Sequence, residues 1–290
     1  MPSRFECVRP NTISDACNAL LQSSGTAQIH AGGTDLLVRA RTNRFDTDLV
    51  VDISRIPDLR YVKTLDDGTL RVGALATLTE LVAHPLLSGP LIALREATLL
   101  IGSIQIRNRA TLVGNICNAS PAADTIPPLV VFDARVNVVG PEGRRTEPVM
   151  EFVTAPGRTT LGRGEIVESV DIPAPRGEIG SSYLRITRRR SVDLATTDVA
   201  AAVHGDGEVR FSYGAVSPRP LLGVNAAGVL SGREPTEQLL EEAARAAERE
   251  IDPISDVRGS REYRIAMTGV LVRRTYRIAR NRLLGRGGLI

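Results

Sequence analysis

The sequence is poor in the residues from which metal centres and disulfide frameworks are built. Its 290 residues include only three cysteines, Cys7, Cys17 and Cys117, which are widely spaced and form no CxxC pair. This pattern argues against a disulfide framework, a zinc site and an iron–sulfur cluster. The three histidines are equally isolated, without HExxH or other ligand spacing, and are interpreted as structural. Any metal centre that works with this chain is therefore expected on another chain.

Long apolar runs and a secretory leader are also missing. The run LIALREATLLIGSI is interrupted by Arg95 and Glu96, so it falls short of the roughly 18 apolar residues that a membrane span needs. The start MPSRFECVRPNT has no apolar core and no small-residue cleavage site. These features predict a chain without a membrane span that works in a reducing cytoplasm.

The sequence lacks the residues and motifs that several kinds of catalysis and nucleotide binding require. Lys63 is the only lysine, which all but excludes Schiff-base and P-loop lysine chemistry. Neither GxGxxG nor GxxxxGK[ST] occurs, and no Ser-His-Asp or Cys-His set has a supporting motif. The net charge of +3 is too small and too dispersed to require nucleic acid. The basic stretch VRRTYRIARNRLLGR, residues 272–286, is interpreted as a solvated or partner-facing helix face, with a nucleic-acid or phospholipid site as the alternative.

The first half of the chain predicts mixed helices and strands. Strand and helix patterns alternate over residues 1–60. Apolar and polar residues then alternate around Asp67-Gly68, which predicts a hairpin. Thr77 stands three residues before Glu80 in a capping box, so a helix should begin at about Leu78.

The second half predicts an antiparallel lobe closed by helices. From about Glu165, strand-length runs are separated by Gly, Pro and Asp, and two helices follow with caps at Thr236 and Ser260. Strands followed by helices indicate an α+β lobe. The length suggests two lobes, and the boundary is placed in the proline-rich residues 173–180.

Two segments rich in glycine and small polar residues are candidate ligand sites. AQIHAGGTDLLVRAR, residues 27–41, places a Gly-Gly pair between a strand and a helix. Successive amides there form either a tight turn or a nest for a phosphate, and this segment alone leaves both open. ATLVGNICNASPAAD, residues 110–124, repeats the chemistry with threonine, glycine and asparagine. Two such loops in one lobe would hold the two halves of a pyrophosphate.

With both segments in view, the sequence resembles the FAD-binding subunit of the molybdenum hydroxylases. The likeness is strongest in AGGTDL at 31–36 and GSIQIRNRATLVGNICNASPAADTIPPL at 102–129. Four further segments follow in family order: GALATLTEL at 73–81, GEIVESVDIP at 164–173, YLRITRRRSVDLA at 183–195 and REYRIAMTGVLVRR at 261–274. Taken together the motifs are highly specific and cover nearly the whole chain.

The resemblance implies a fold and a domain division. The family fold is an α+β, two-subdomain FAD-binding unit of the PCMH or vanillyl-alcohol-oxidase type, which holds the cofactor extended between its subdomains. A smaller α+β lobe of antiparallel strands and helices follows it. Carried over to this chain, residues 1–175 form the FAD-binding domain, with subdomains of about 1–60 and 61–175, and residues 176–290 form the C-terminal flavoprotein domain.

The resemblance also implies cofactor-binding residues, and no catalytic residue or metal ligand on this chain. Ala31 to Asp35 would form the first pyrophosphate loop, and a second would follow from Thr111. Asp124 would lie near the ribityl and adenosine side, while Arg185 borders the isoalloxazine ring and stabilises its reduced anionic form. The full implied set is Ile29, His30, Ala31, Gly32, Gly33, Thr34, Asp35, Ile101, Ala110, Thr111, Gly114, Asn115, Asn118, Ala123, Asp124, Ile166, Val167 and Arg185. Within it, Ile101 covers one face of the ring, and Ile166 and Val167 border it.

Two positions depart from the family pattern. Val113 stands where the family more often has glycine, and valine forbids a positive φ at low strain, so FAD affinity is the property affected. Arg185 stands where some relatives carry lysine, which keeps the charge but changes its shape.

The function implied is electron transfer out of a larger complex. A large partner would carry the molybdenum cofactor and a small partner the 2Fe-2S clusters, in a dimer of heterotrimers. FAD on this chain would pass electrons to NAD+, oxygen or another acceptor. Two other classes stay open, a self-contained FAD-dependent oxidase or dehydrogenase and a non-enzymatic arginine-rich nucleic-acid binder.

Charged residues near the start of the second lobe have competing interpretations. The RRR run at 188–190 is either a solvated strand end or a contact to cofactor or partner. Asp193 and Asp198 are interpreted as structural capping or salt-bridge groups rather than a catalytic carboxylate pair.

Overall fold

The computed structural model of the chain describes residues 5–42 and 46–286. The start of the sequence examined for a leader, residues 1–4, and the predicted domain limits at 1 and 290 lie outside these ranges.

The chain begins with a small parallel sheet. Its elements in order are β1 (Glu6–Val8), α1 (Ile13–Gln22), β2 (Ala27–His30), α2 (Leu36–Arg41) and β3 (Leu49–Asp52). Strand β3 runs between β1 and β2, parallel to both, and all four of its residues are buried. A central parallel strand is covered on both faces, which is why its sequence is almost continuously apolar. The register sets His30 of β2 opposite Asp52 of β3.

A five-stranded antiparallel sheet follows, interrupted by a helical insertion. Its first hairpin is β4 (Val62–Thr64) and β5 (Leu70–Gly73). The insertion contains 3₁₀ turn Pro85–Ser88 and α3 (Leu78–Val82), α4 (Ile92–Leu99), α5 (Ile104–Arg107), α6 (Leu112–Cys117) and α7 (Ile126–Val131). The chain then forms β6 (Arg135–Gly140), β7 (Gly143–Pro148), α8 (Val149–Phe152), a small hairpin of β8 (Val153–Ala155) and β9 (Arg158–Thr159), and β10 (Ile166–Ile172). Strand order in the large sheet is β4-β5-β10-β6-β7.

Local sequence signals in this sheet are confirmed. Strands β4 and β5 pair antiparallel around the predicted Asp67-Gly68 turn, where Gly68 has a φ of 83°. Helix α3 begins at Leu78 behind the predicted capping box, in which Thr77 accepts from the amide of Glu80 and the Glu80 carboxylate accepts from the amide of Thr77. Both signals depend only on residues close together in the sequence, so the structures that they predict form independently of long-range packing.

The central strand of this sheet carries an irregularity beside the cavity described below. The pairing of β10 with β6 shifts register between Val167 and Ser169. A bulge of this kind bends a strand and redirects its side chains, and bulges often occur beside functional sites. Here it adjoins Ile166 and Val167, which are consecutive and both buried.

The last part of the chain is an antiparallel sheet backed by helices. Its elements are β11 (Ile179–Ile186), β12 (Thr197–His204), β13 (Val209–Gly214), β14 (Leu221–Leu222), α9 (Val224–Leu230), α10 (Glu237–Glu250) and α11 (Arg261–Leu283), with strands in sequential order. The predicted caps hold, since Thr236 accepts from Leu239 N and Ser260 accepts from Tyr263 N. The predicted α+β class is confirmed.

Strand β12 joins this lobe to the rest of the molecule because both of its faces are buried. Ala200 and Ala202 belong to the main core that contains the first two sheets. Val199, Ala201 and Val203 point the other way, into a second core formed with α9, α10 and α11. Alternating side chains of this one strand therefore pack into two cores. As a result, the main core extends across the predicted domain boundary near residue 175.

The basic stretch at 272–286 lies mostly in α11, and several of its arginines form ion pairs within the chain. Arg273 pairs with Glu241 of α10, Arg277 lies 2.5 Å from Glu237, and Arg280 lies 2.8 Å from Glu234. These pairs occupy arginines that the sequence predicted to be solvated or partner-facing. Although α11 is the longest of the described helices, neither it nor any other of them has the length and apolar character for crossing a bilayer.

Candidate cofactor site

A cavity of about 1250 Å³ lies where the three sheets meet. Its wall is drawn from the turn after β2, from α5 and α6 with the residues around them, from the segment leading into β10, and from the loop between β11 and β12. Every residue in the predicted binding set lines this cavity except His30 and Arg185. Positions as far apart as 29 and 167 in the sequence are thus brought to one wall.

The turn after β2 presents main-chain amides that have no acceptor. The amide of Leu37 donates to Gly33 O, but among the described residues no acceptor is found for the amides of Gly32, Gly33 and Thr34. Gly33 has a φ of 75°, a conformation that glycine adopts without strain. Adjacent free amides in such a turn form a concave site for an anion. The turn and the anion site, which the sequence left as alternatives, are compatible in this structure.

Gly32 brings this turn against the second segment. A Cβ built at Gly32 would lie 2.0 Å from the carbonyl oxygen of Arg109 and 3.1 Å from the Cα of Ala110. Both neighbours are backbone atoms, so no side chain can rotate away. The two glycine-containing segments therefore touch through their main chains, and residue 32 has no room for a side chain.

The second segment is helical, which corrects the prediction of a second loop. Thr111 is the N-cap of α6, and its hydroxyl accepts from Gly114 N at 3.0 Å. Gly114 N is therefore not a free donor, and Asn115 Oδ1 is occupied by the hydroxyl of Thr125 at 2.6 Å. Val113 lies inside the helix and is not among the residues with positive φ, so the strain predicted at this departure is absent. Apolar Leu112, Val113 and Ile116, all buried, hold this short helix in place.

Arg185, predicted to border the ring, is buried and forms an ion pair with Asp124. Its guanidinium donates to both oxygens of Asp124, at 2.9 and 2.8 Å, and to Leu100 O at 3.0 Å. Its side chain is 8% exposed and does not line the cavity, whereas Asp124 does. Burial raises the pKa of Asp124, and the positive charge of Arg185 opposes that rise. Since Asp124 balances the charge of Arg185, the pair offers little net positive charge to a ligand.

A second carboxyl group lies behind this pair. Asp198 faces Arg185 across the β11–β12 register and is fully buried, and neither of its oxygens has a hydrogen-bond partner among the described residues. Burial, reinforced by the charge of Asp124, raises the pKa of Asp198 well above its usual range. Its burial without a hydrogen-bond partner therefore favours the protonated, uncharged form. Tyr183 completes the cluster, with its hydroxyl donating to Asp124 at 2.6 Å.

His30 lies behind the first turn rather than in the cavity wall. Its Nδ1 is 3.0 Å from Asp52 Oδ1, while Asp52 Oδ2 accepts from Arg9 Nε at 3.1 Å. The ring packs on Gly33, where a Cβ would lie 2.5 Å from His30 Nε2.

Of the RRR run at 188–190, two arginines line the cavity and the third is solvent-exposed. Arg188 and Arg189 line the cavity, and both lie within 4 Å of Asp193, at 3.6 and 3.8 Å. Asp193 is thus an ion-pair group, as predicted. Arg190 is exposed and does not line the cavity.

Part of the wall was not predicted from the sequence. These wall residues belong to no binding motif recognised in the sequence: Leu20, Ser23, Ser24, Gly25, Leu161, Gly162, Arg163 and Gly164. Gly164 has a φ of 79° and marks a turn. The Gly-x-Gly sequence at 162–164, just before an apolar strand, is the sequence signal that could have indicated a turn here.

Thiol and metal chemistry find no support in the wall. Cys117 lines the cavity, and burial raises its pKa to about 12, so it stays a thiol. Among the described residues, no group of three or more His, Cys, Asp and Glu side chains is placed to hold a metal ion.

Known proteins match nearly the whole chain. Residues 3–175 match the family described as FAD binding domain in molybdopterin dehydrogenase, and residues 182–279 match the CO dehydrogenase flavoprotein C-terminal domain. The chain is 31% identical over 271 residues to the putative xanthine dehydrogenase FAD-binding subunit XdhB of Escherichia coli, covering 92% of each. It is 30% identical over 283 residues to the carbon monoxide dehydrogenase medium chain of Hydrogenophaga pseudoflava, covering 96% of this chain and 98% of that one.

The fold matches as well. A structure of carbon monoxide dehydrogenase from Hydrogenophaga pseudoflava, lacking the Mo-pyranopterin moiety of its cofactor, aligns with a TM-score of 0.92 and 30% identity, over 97% of this chain and 99% of that chain.

Proposed function

Since the chain belongs to the family of FAD-binding subunits of molybdenum hydroxylases and FAD is its cofactor, we propose that it is the subunit through which electrons leave such a complex. A bound flavin accepts electrons singly and releases them in pairs, which suits it to the junction between an iron–sulfur cluster and a two-electron acceptor. The acceptor is NAD+, oxygen or another carrier.

The residues of the cavity fit FAD. Its volume of about 1250 Å³ exceeds the roughly 300–1,000 Å³ of a pocket for a drug-sized molecule and suits an extended dinucleotide. The free amides of Gly32, Gly33 and Thr34 are the observation that carries the assignment, because they offer donors for a diphosphate without any lysine.

We assign the other wall residues by their distance from that turn. The wall residues of α6 and its two caps, Thr111 and Asn118, lie next to the diphosphate, since Gly32 touches the backbone just before α6. Asp124, held by Arg185, orients the ribityl and adenosine side. Ile101, Ile166 and Val167 supply the apolar surface for the ring.

The domain division follows from the same assignment. Residues 1–175 hold the cofactor, in subdomains of about 1–60 and 61–175, and residues 176–290 form the flavoprotein domain that closes the cavity through its β11–β12 loop. The separate family matches to residues 3–175 and 182–279 support this division.

The partners are a large molybdenum-cofactor subunit and a small 2Fe-2S subunit, assembled as a dimer of heterotrimers in the cytoplasm. Support comes from the relatives, which are named as the medium chain of carbon monoxide dehydrogenase and the FAD-binding subunit of xanthine dehydrogenase. The three cysteines are all free, which suits a reducing compartment.

The test is purification of the full-length chain from its own cells, with a visible spectrum and identification of the proteins that accompany it. We expect flavin absorption, one large and one small partner, and no bleaching of the isolated chain by organic substrates. Bleaching without partners would instead indicate a self-contained oxidase or dehydrogenase. A colourless preparation with steeply salt-dependent binding to nucleic acid would indicate the nucleic-acid binder.

A further inference from the structure

The short segment between α4 and α5 forms the part of the cavity wall assigned to the isoalloxazine ring. Ile101 is half-buried, packs against the main core and lines the cavity together with Leu100 and Gly102. Leu100 and its neighbour Leu99 are 40% and 39% exposed, so this end of α4 is only partly covered by other residues. Packing by itself therefore gives this piece of the wall little support.

The main-chain carbonyl groups of the same segment are held by two guanidinium groups. Arg185 Nη2 of β11 donates to Leu100 O at 3.0 Å. Arg107 Nη1 of α5 donates to Ile101 O at 3.0 Å and to Gly102 O at 3.4 Å. Three consecutive carbonyl oxygens of the wall thus accept from arginine side chains.

The end of α4 explains why these carbonyl groups take side-chain donors. The last carbonyl groups of a helix have no partner within it and carry a partial negative charge. The amides of Leu100 and Ile101 donate back to Ala97 O and Thr98 O, which leaves the carbonyl groups that follow without a helical partner. Helix α4 has no basic residue in its own last turn. The cations that complement its end therefore come from other elements.

Gly102 turns the chain so that Arg107 can reach back to the segment before it. The φ of Gly102 is 51°, and a Cβ there would lie 2.9 Å from Cγ2 of Ile106. Helix α5 begins directly after this turn, with Ser103 as its N-cap. Arg107 lies at the end of that single helical turn, and its guanidinium closes the loop onto the carbonyl groups of residues 101 and 102.

The hydrogen bonds of the Arg107 side chain go only to this segment. Arg107 is half-buried and does not line the cavity, so it supports the wall from behind. Among the described residues, its side chain has no carboxylate within ion-pair distance and no acceptor besides the two carbonyl groups. Arg185, in contrast, is also committed to Asp124. Replacement of Arg107 thus changes the support of the wall without breaking an ion pair.

We propose that Arg107 is a positioning residue, which holds the Ile101 side chain against the isoalloxazine ring of FAD through the main-chain carbonyl groups of residues 101 and 102. The inference rests on the proposed position of the ring at Ile101. A wall residue that is held in place before FAD binds does not have to be ordered during binding, so the support raises affinity. An apolar side chain fixed on one face of the ring also excludes water from that face.

The test is a double-mutant cycle in the full-length chain, with Arg107→Gln, Ile101→Ala and the double variant. Each FAD-free protein is titrated with FAD, and the visible absorption and fluorescence of the bound flavin are recorded. We expect each single variant to bind FAD about tenfold more weakly, since one loses hydrogen bonds from a charged donor and the other loses apolar contact. The spectrum of the bound flavin should shift toward that of free FAD in both.

The double variant shows whether Arg107 acts through Ile101. Once the Ile101 side chain is removed, there is nothing left for Arg107 to hold against the ring. The double variant should therefore bind FAD about as tightly as Ile101→Ala alone, with the same flavin spectrum. If the two residues supported the fold independently of each other, their effects would add.

Two further variants separate the support of the wall from charge. Arg109→Gln removes the same charge two residues further along, from an exposed side chain that does not line the cavity and bonds to no described residue. It should keep the flavin spectrum of the wild type and stay within about twofold of its affinity. Arg107→Lys keeps the charge and an N–H donor, so it should recover part of the affinity that Arg107→Gln loses.

Each outcome decides for or against the inference. A wild-type affinity and spectrum in Arg107→Gln, additive losses in the cycle, or equal losses in Arg107→Gln and Arg109→Gln would each overturn it while leaving FAD binding intact. If Arg107→Gln does not fold, the same cycle is measured with Arg107→Lys, and additive losses there would contradict the inference in the same way. Failure of the wild type to bind FAD would overturn the proposed function together with it.

Discussion

Replacement of Gly32 by alanine tests whether the two cofactor segments touch as described. The added Cβ would lie 2.0 Å from Arg109 O, while the closest ordinary carbon–oxygen approach is about 3.3 Å. The two backbones would have to separate by about 1.3 Å. Overpacking a tight site costs about 1–3 kcal/mol, and because only main chain surrounds this one, we expect Gly32→Ala to lower the free energy of unfolding by about 3 kcal/mol.

The same separation moves the free amides away from α6, so FAD affinity should fall about tenfold or more, which corresponds to about 1.4 kcal/mol. Urea denaturation of the FAD-free chain measures the first effect, and FAD titration measures the second. Because stability and FAD affinity are measured separately, a loss of folding stability can be distinguished from a loss of cofactor binding.

Gly228 provides the matched control. It lies in α9, is exposed, and a Cβ there would meet nothing within 4 Å. Gly228→Ala should raise the free energy of unfolding by about 0.5–1 kcal/mol, since alanine is the better helix former, and leave FAD binding unchanged. If Gly32→Ala keeps both its stability and its FAD affinity within error of the wild type, the contact between the two segments does not exist.

Two further predictions concern the buried charges behind the cavity. Arg185→Ala leaves the Asp124 carboxylate buried without its ion pair, and we expect the free energy of unfolding to fall by about 3–5 kcal/mol in urea denaturation. The Arg185→Ala/Asp124→Asn double variant should lose less, and equal losses would show that the two groups are not coupled. Asp198 has a raised pKa in the folded chain, so its contribution to stability is fully present below its unfolded pKa near 4 and declines as pH rises toward the folded pKa. Asp198→Asn cannot ionise, so unfolding at pH 4.5 and pH 8 should show a smaller loss of stability with rising pH than in the wild type; identical slopes would contradict the raised pKa of Asp198.

Elements with local signals were predictable from the sequence. The capping box at Thr77 and Glu80 and the Asp67-Gly68 hairpin each depend on residues within a few positions of one another. The first cofactor turn belongs to this class too, because a Gly-Gly pair between a strand and a helix restricts the backbone almost by itself.

The second cofactor segment was predicted as a loop because glycine and asparagine favour loops over helices. Tertiary burial of Leu112, Val113 and Ile116 outweighs that preference in α6. The spacing of these apolar residues on one helical face was the signal that the composition obscured.

Long-range partners could not be read from the sequence. Arg185 lies 61 residues from Asp124, and His30 lies 22 residues from Asp52. Whether a charged side chain faces a ligand or a buried counter-charge depends on which strands become neighbours. For this reason the ion pair between Arg185 and Asp124 was not predicted, and the place of Arg185 at the ring came only from the family resemblance.

The ion pair between Asp124 and Arg185 constrains how this protein can be recombined with its relatives. The two residues fall on opposite sides of the boundary between the separately matched segments, with Tyr183 donating to the same carboxylate. A chimera joined near residue 178 would inherit one half of the pair from each parent. Unless both parents encode compatible residues at 124, 183 and 185, the chimera would contain a buried charge without its ion-pair partner. These three positions should therefore be exchanged together.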